Sequence, residues 1–326
     1  MNLMIWSRAS AILGGVIWLI LFAASASNDG TLAMITYLLL FAVLVITPLA
    51  LPLVAPVELV SSQALPYRAA LVVQPFVAAL VIISFFLPAG IPAALCVLGW
   101  LLLTSLVALF GLFRLLSRNS LRADELCIDA GLFYLPVGAV WLIFSRLGAN
   151  PLGFDNTIVI LTAVHFHYAG FGAPILAGLA GRRLATIRPA AWRLFRPVAA
   201  GVIAGIALVA AGITLARFTP LLEVAAAVLF AASLLGLAGL VLFVVVPATQ
   251  PRFARGLLAV SAGSLLVTMP LAGGYTVGRF AGFPLVGIPR MVEVHGWMNA
   301  LGFVLCGLLA WTFSTEEREP RTLKSP

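Results

Sequence analysis

The sequence predicts an all-α fold: a polytopic transmembrane bundle of about ten helices with both termini in the cytoplasm. Three observations lead there. Of the 326 residues, 63% are hydrophobic and only 9% are charged, whereas soluble domains carry about 25% charged residues. The mean hydropathy is +1.14. Apolar runs of membrane-spanning length recur along the whole chain. Ala, Leu, Val and Gly dominate these runs, which lack the period-2 alternation of barrel strands. A soluble enzyme and a disordered chain are both excluded.

A hydrocarbon core of about 30 Å takes about 20 residues of helix. Runs at 9–25, 31–50, 69–88, 91–113, 128–145, 157–180, 197–216, 222–246, 256–275 and 291–313 meet that length. Asn28-Asp29-Gly30, Pro88-Ala89-Gly90, Asn150-Pro151-Leu152-Gly153 and Pro247 punctuate them as turns. One integral membrane domain over 1–326 follows. Helices 1–6 lie within 9–180, a basic cytoplasmic loop spans 181–196, helices 7–10 lie within 197–313, and 314–326 is a cytoplasmic tail. Gln74-Pro75 in the third run and Pro136 in the fifth are hinge candidates.

The 19 cations set the orientation. With the N-terminus inside, the outer gaps hold Arg146, Arg217, Arg279 and Arg290, and the inner segments hold the other 15. Miscounting one interior span would swap every later loop and erase this asymmetry. The net charge of +8 is therefore a membrane-orientation signal, and no nucleic-acid partner is expected. The longest basic stretch, 181–196, carries Trp192, Leu194 and Phe195 among its arginines, a composition suited to anionic lipid. Residues 1–27 also fit a signal peptide, with Arg8, an apolar stretch and Ala24-Ser25-Ala26 as cleavage site. A retained first helix is the expectation. Cys96, Cys127 and Cys306 are widely spaced and form neither a disulfide framework nor a thiolate site.

All three histidines lie in two membrane segments, and none lies in a loop. The first segment is Val164-His165-Phe166-His167-Tyr168-Ala169-Gly170-Phe171, and the second is His295-Gly296-Trp297-Met298-Asn299-Ala300-Leu301-Gly302-Phe303. Polar side chains at membrane depth are costly unless partnered, which makes them candidates for function. His165 and His167 are two residues apart, about 200° around a helix, so one metal ion cannot easily take both. His295 and Asn299 share a face. The candidate site is His165, His167, His295 and Asn299 in the outer half of the bilayer, supported by Thr162, Tyr168 and Glu293. Glu293 is placed to pair with Arg290 or to accept a proton from a histidine. Three roles fit these residues: interhelical hydrogen bonding, ligation of haem or a transition metal, and a titrating pathway for protons or a solute.

Two resemblances add to this reading. Val164 to Phe171 resembles the histidine helix of cytochrome oxidase subunit I, whose AHFHY sequence carries haem ligands. That family needs six histidines for two haems and a copper, and this chain has three. The chain also resembles the YndJ-like family of bacterial membrane proteins. It matches their HFHxAGF segment at His165 to Phe171 and their HGxxNAxGF segment at His295 to Phe303. That resemblance covers most of the chain and implies a transporter-like protein of the bacterial inner membrane. No P-loop, HExxH or G-x-S-x-G signature of an enzyme is present. The expected function is transport of a small solute or ion through the histidine site. The alternative is a haem- or copper-binding redox or sensor protein. Lipid is the expected environment, and the oligomeric state is open.

Overall fold

The computed structural model describes residues 2–24, 30–55 and 60–314. Ala24-Ser25-Ala26 lies partly, and the tail beyond Ser314 with Arg318, Arg321 and Lys324 wholly, outside these residues. Ten helices long and apolar enough to span a membrane are present, and no strand occurs among the described residues. They are α1 (Leu3–Ala24), α2 (Thr31–Val54), α3 (Ser61–Phe86), α4 (Ile91–Leu116), α5 (Ala123–Leu147), α6 (Asn156–Ile187), α7 (Pro189–Leu215), α8 (Pro220–Ala248), α9 (Arg252–Phe280) and α10 (Ile288–Phe313).

The helices run beyond their apolar cores. Backbone hydrogen bonding does not stop at the hydrocarbon edge, and arginine stems extend toward the polar headgroups. The expected loop at 181–196 is the clearest correction. α6 continues to Ile187 and α7 begins at Pro189, which leaves Arg188 alone as the turn. Phe195 is buried there, its ring against Gly181. Proline position explains the sharp turn, because the missing N–H at the first helical position forfeits no bond. The helix ends around α6 follow local rules as well. Gly148 closes α5 in the left-handed region at φ 71°, and the Asp155 carboxylate caps α6 by accepting from the Ile158 N–H at 3.1 Å.

Two helices sit at the centre. The apolar window of α2 is 89% buried and that of α6 is 72% buried, whereas every other span buries half or less. α6 touches α2, α5, α7, α8 and α10, and α10 closes against α2, α6 and α9. Close approach of α5 to α6 depends on glycine. A Cβ at Gly178 would stand 2.5 Å from Ile128 Cγ1 and 2.6 Å from the Asp124 carbonyl oxygen. Gly178→Ala is therefore expected to cost about 1–3 kcal/mol by overpacking, read as a lower thermal midpoint in detergent.

Gln74-Pro75 and Pro136 do not interrupt their helices. The departures from α geometry lie elsewhere, as π-helical stretches at Ala42–Ile46 in α2, Phe166–Gly172 in α6, Val241–Val245 in α8, and Val292–Gly296 and Met298–Leu305 in α10. Those of α2, α6 and α10 meet one another. Neighbouring side chains bond carbonyls in and beside the widened turns. Gln74 donates to Val43 at 2.9 Å, Tyr168 to Leu38 at 2.8 Å, and Ser261 to Phe303 at 2.7 Å. Such π stretches are frequent at functional sites.

Candidate functional site

His165 is the last residue before the π stretch of α6, His167 lies within it, and His295 and Asn299 lie in the two π stretches of α10. Counting 1.5 Å per residue from Asn156 and Ile288, His165 lies about 13 Å and His295 about 10 Å along their helices. Both helices start at the same end of the bundle, so the two imidazoles stand at matching depth. The π stretches of the two helices pack against each other.

Hydrogen bonding separates the three histidines into two kinds. His167 is fully buried, and both of its ring nitrogens are committed. Nδ1 lies 2.8 Å from the Ala163 carbonyl oxygen, and the Trp100 indole N–H donates to Nε2 at 3.0 Å. A carbonyl only accepts and an indole N–H only donates, so His167 carries its proton on Nδ1 and none on Nε2. The two rings are nearly parallel, at an interplanar angle of 16°. Gly138 of α5 leaves room for that ring, since a Cβ there would come within 2.7 Å of Nδ1. His167 is a strut between α4, α5 and α6.

His165 and His295 are different. His165 Nδ1 donates to the Leu161 carbonyl at 2.8 Å, and His295 Nδ1 donates to the Thr268 carbonyl of α9 at 3.0 Å. Each Nε2 lone pair is left without a partner among the described residues. The His165 side chain is exposed on the bundle, and His295 is half-buried. Asn299 fixes His295 from below. Its Nδ2 donates to the His295 carbonyl at 2.8 Å, and its Oδ1 accepts from Thr268 Oγ1 at 3.0 Å.

The expected supporting residues take other partners. Thr162 Oγ1 donates back to the Ile158 carbonyl at 2.7 Å, and the Tyr168 hydroxyl reaches α2. Glu293 pairs with Arg290 at 2.8 Å, both side chains being exposed. None of the three bonds an imidazole. Trp297, between His295 and Asn299 in sequence, packs edge-on against Trp18 and Phe22 of α1. Among the described residues, no group of three or more His, Cys, Asp or Glu is placed to hold a metal ion. The three cysteines are free thiols.

One polar cluster escapes a reading of the sequence by helix ends. Asp129 would serve as a dipole partner near the start of the fifth apolar run, but it lies within α5 and is buried. It accepts from Arg114 Nε at 3.1 Å and pairs with Arg118. Glu125 pairs with Arg114 at 2.8 Å and with Arg182 of α6 at 2.7 Å. Arg114 also donates to the Val54 carbonyl at the end of α2. Four helices are thus tied together at the end of the bundle rich in arginine. At its rim, outside the span, hydrogen bonds from Arg122 to the Asp124 carboxylate raise the guanidinium above its usual pKa. The legible signal was spacing: Arg114 and Arg118 precede the turn four residues apart, and Glu125 and Asp129 follow it four apart.

The chain is 30% identical over 212 residues to the protein named "Uncharacterized membrane protein YndJ" of Bacillus subtilis (strain 168). That match covers 65% of this chain and 37% of the relative, so the chain spans well under half the length of the curated relative it matches. No solved structure matches it. The family described as YndJ-like protein matches residues 37–303, from α2 into α10, a stretch that includes all three histidines and Asn299. This multi-pass membrane protein belongs to the YndJ-like family.

Proposed function

We propose that the protein is a transporter for a small solute or ion, and that His165 and His295 form its intramembrane site. The observation that carries this reading is the pair of uncommitted Nε2 lone pairs. Each imidazole is oriented through Nδ1 by a backbone carbonyl, and each keeps accessible surface on a membrane-spanning helix. A free Nε2 lone pair can accept a proton or a cation, which suits a site for a small ionic cargo. The converging π stretches of α2, α6 and α10 are the elements whose rearrangement would open and close the site. With the cation asymmetry setting orientation, the site lies in the outer half of the bilayer. Asn299 positions His295, and His167 holds α6 in place.

Protons serve as the probe ion for the test. In proteoliposomes holding a pH-sensitive dye, a potassium gradient with valinomycin drives proton entry. Wild-type protein is expected to exceed empty vesicles several-fold, and His165→Ala and His295→Ala are expected to return to the empty-vesicle rate. Wild-type flux at background would contradict the reading.

A second reading rests on the same geometry. A ring held through Nδ1–H with Nε2 free is how proteins present histidine to a metal. With only two such nitrogens, His165 and His295 would hold a haem iron or a copper ion, either of which would supply redox chemistry. Stoichiometric haem or copper in protein purified without chelators, lost in His165→Ala and His295→Ala, would establish it. A colourless, metal-free preparation would exclude it.

A further inference from the structure

The strongest feature outside the histidine site is a cleft of about 800 Å³ at the arginine-rich end of the bundle. The entry to α5 forms one wall, and the first turns of α7 form the other. Its mouth and its depth differ in chemistry. Arg122, Arg193 and Arg196 line it together with Trp192, whereas Leu126 and Ile203 continue it along the membrane-spanning parts of the two helices.

The charges at the mouth are not balanced. Arg122 is bonded to the Asp124 carboxylate at 2.6 and 3.1 Å. Arg193 and Arg196 are exposed and have no carboxylate partner among the described residues. The guanidinium groups of Arg122 and Arg196 lie 6.0 and 5.9 Å from the Trp192 ring, which gathers them around the indole. The Trp192 N–H is buried and has no hydrogen-bond partner. A buried donor without an acceptor is costly, so an acceptor supplied by a ligand would relieve it.

We propose that this cleft binds an anionic phospholipid. The headgroup phosphate accepts from the Trp192 N–H and the Arg193 and Arg196 guanidiniums, and an acyl chain lies along the Leu126 and Ile203 wall. Guanidinium is suited to phosphate, because its planar fork offers two parallel donors. A free soluble anion would use the mouth but would leave the apolar wall uncovered. The cation count places this end in the cytoplasm, where the facing leaflet carries anionic lipid. The site is separate from the histidine pair and does not depend on what that pair carries.

The test uses the full chain in detergent, titrated with dioleoyl phosphatidylglycerol or dioleoyl phosphatidylcholine, with bound lipid counted by native mass spectrometry. Wild-type protein is expected to retain phosphatidylglycerol with at least a tenfold preference. Arg193→Gln with Arg196→Gln is expected to weaken it about 10- to 30-fold, since each cation near the surface contributes roughly a factor of five. The matching pair of lysine substitutions should keep most of the preference, which guards against a folding defect. Trp192→Phe, which keeps the ring and removes the donor, should weaken binding several-fold. Equal retention of both lipids, or an unchanged preference in the double glutamine variant, would overturn the proposal. So would displacement of phosphatidylglycerol by millimolar inorganic phosphate, because that result assigns the cleft to a soluble anion.

Discussion

Asp129→Ala is expected to lower the thermal midpoint of the detergent-solubilised protein by about 10 °C. The substitution leaves Arg114, whose side chain is only 4% exposed, and Arg118 without a carboxylate that both contact. Breaking a buried ion pair from one side costs about 3–5 kcal/mol, and Glu125, which still pairs with both arginines, puts the loss here at the low end of that range. For chains of this size each kcal/mol moves the midpoint by about 2–4 °C. The exposed pair at the other end of the bundle sets the contrast. Glu293→Gln removes the bond to Arg290, and exposed pairs of this kind are worth less than about 1 kcal/mol. Thermal unfolding followed by circular dichroism separates the two cases. Equal small effects would mean that the Arg114–Glu125–Asp129 cluster does not clamp the helices.

The three histidines are expected to respond to alanine substitution in two different ways. His167→Ala removes a fully buried ring and strands the Trp100 N–H. Lost packing and an unsatisfied donor together amount to about 3–5 kcal/mol. His165→Ala deletes a ring bonded only to its own helix, at Leu161, and its cost is expected below about 1 kcal/mol. His295→Ala loses one contact to α9 and falls between the two. Function should follow the opposite order. His165→Ala and His295→Ala abolish proton flux in folded protein, whereas folded His167→Ala retains it at low temperature. A double-mutant cycle of His167→Ala with Trp100→Phe isolates the strut, and additive losses would contradict a direct bond.

Much of the fold was legible because the bilayer imposes one ruler on every segment. The ten apolar runs correspond one for one to α1–α10. Helix ends were less legible, since the hydrocarbon edge limits apolar residues and not helical hydrogen bonding. The 181–196 segment shows this: its charges suggested a loop, yet it is helix on both sides of Arg188. Prolines were an uneven guide. Pro75 and Pro136 leave their helices uninterrupted, whereas the π stretches of α2, α6 and α8 end two residues before Pro48, Pro174 and Pro247. What no proline marks is where side chains such as Gln74, Tyr168 and Ser261 from neighbouring helices reach the backbone. That is a tertiary property.

At the candidate site, placement and rotation were readable and partnership was not. The roughly 200° between His165 and His167 predicted that they would face different surroundings. Which of them would be the strut depended on Trp100, distant in sequence and present in no motif. The pairing of His295 with Asn299 followed from their spacing of four, and the tie to Thr268 did not. Glu293 and Tyr168 looked like partners for imidazole because they lie near the histidines along the chain, but other helices and the exposed Arg290 engage them instead.

His165 and His295 present accessible rings with free Nε2 atoms, while His167 is buried with both nitrogens bonded. Diethyl pyrocarbonate acylates imidazole nitrogen that carries an available lone pair, so it reads this directly. Folded protein in detergent or nanodiscs is treated briefly at neutral pH, digested, and each histidine peptide quantified by mass spectrometry. The account predicts modification of His165 and His295, with His167 unmodified until the protein is denatured. Modification of His167 in the folded state, or protection of both His165 and His295, would contradict it.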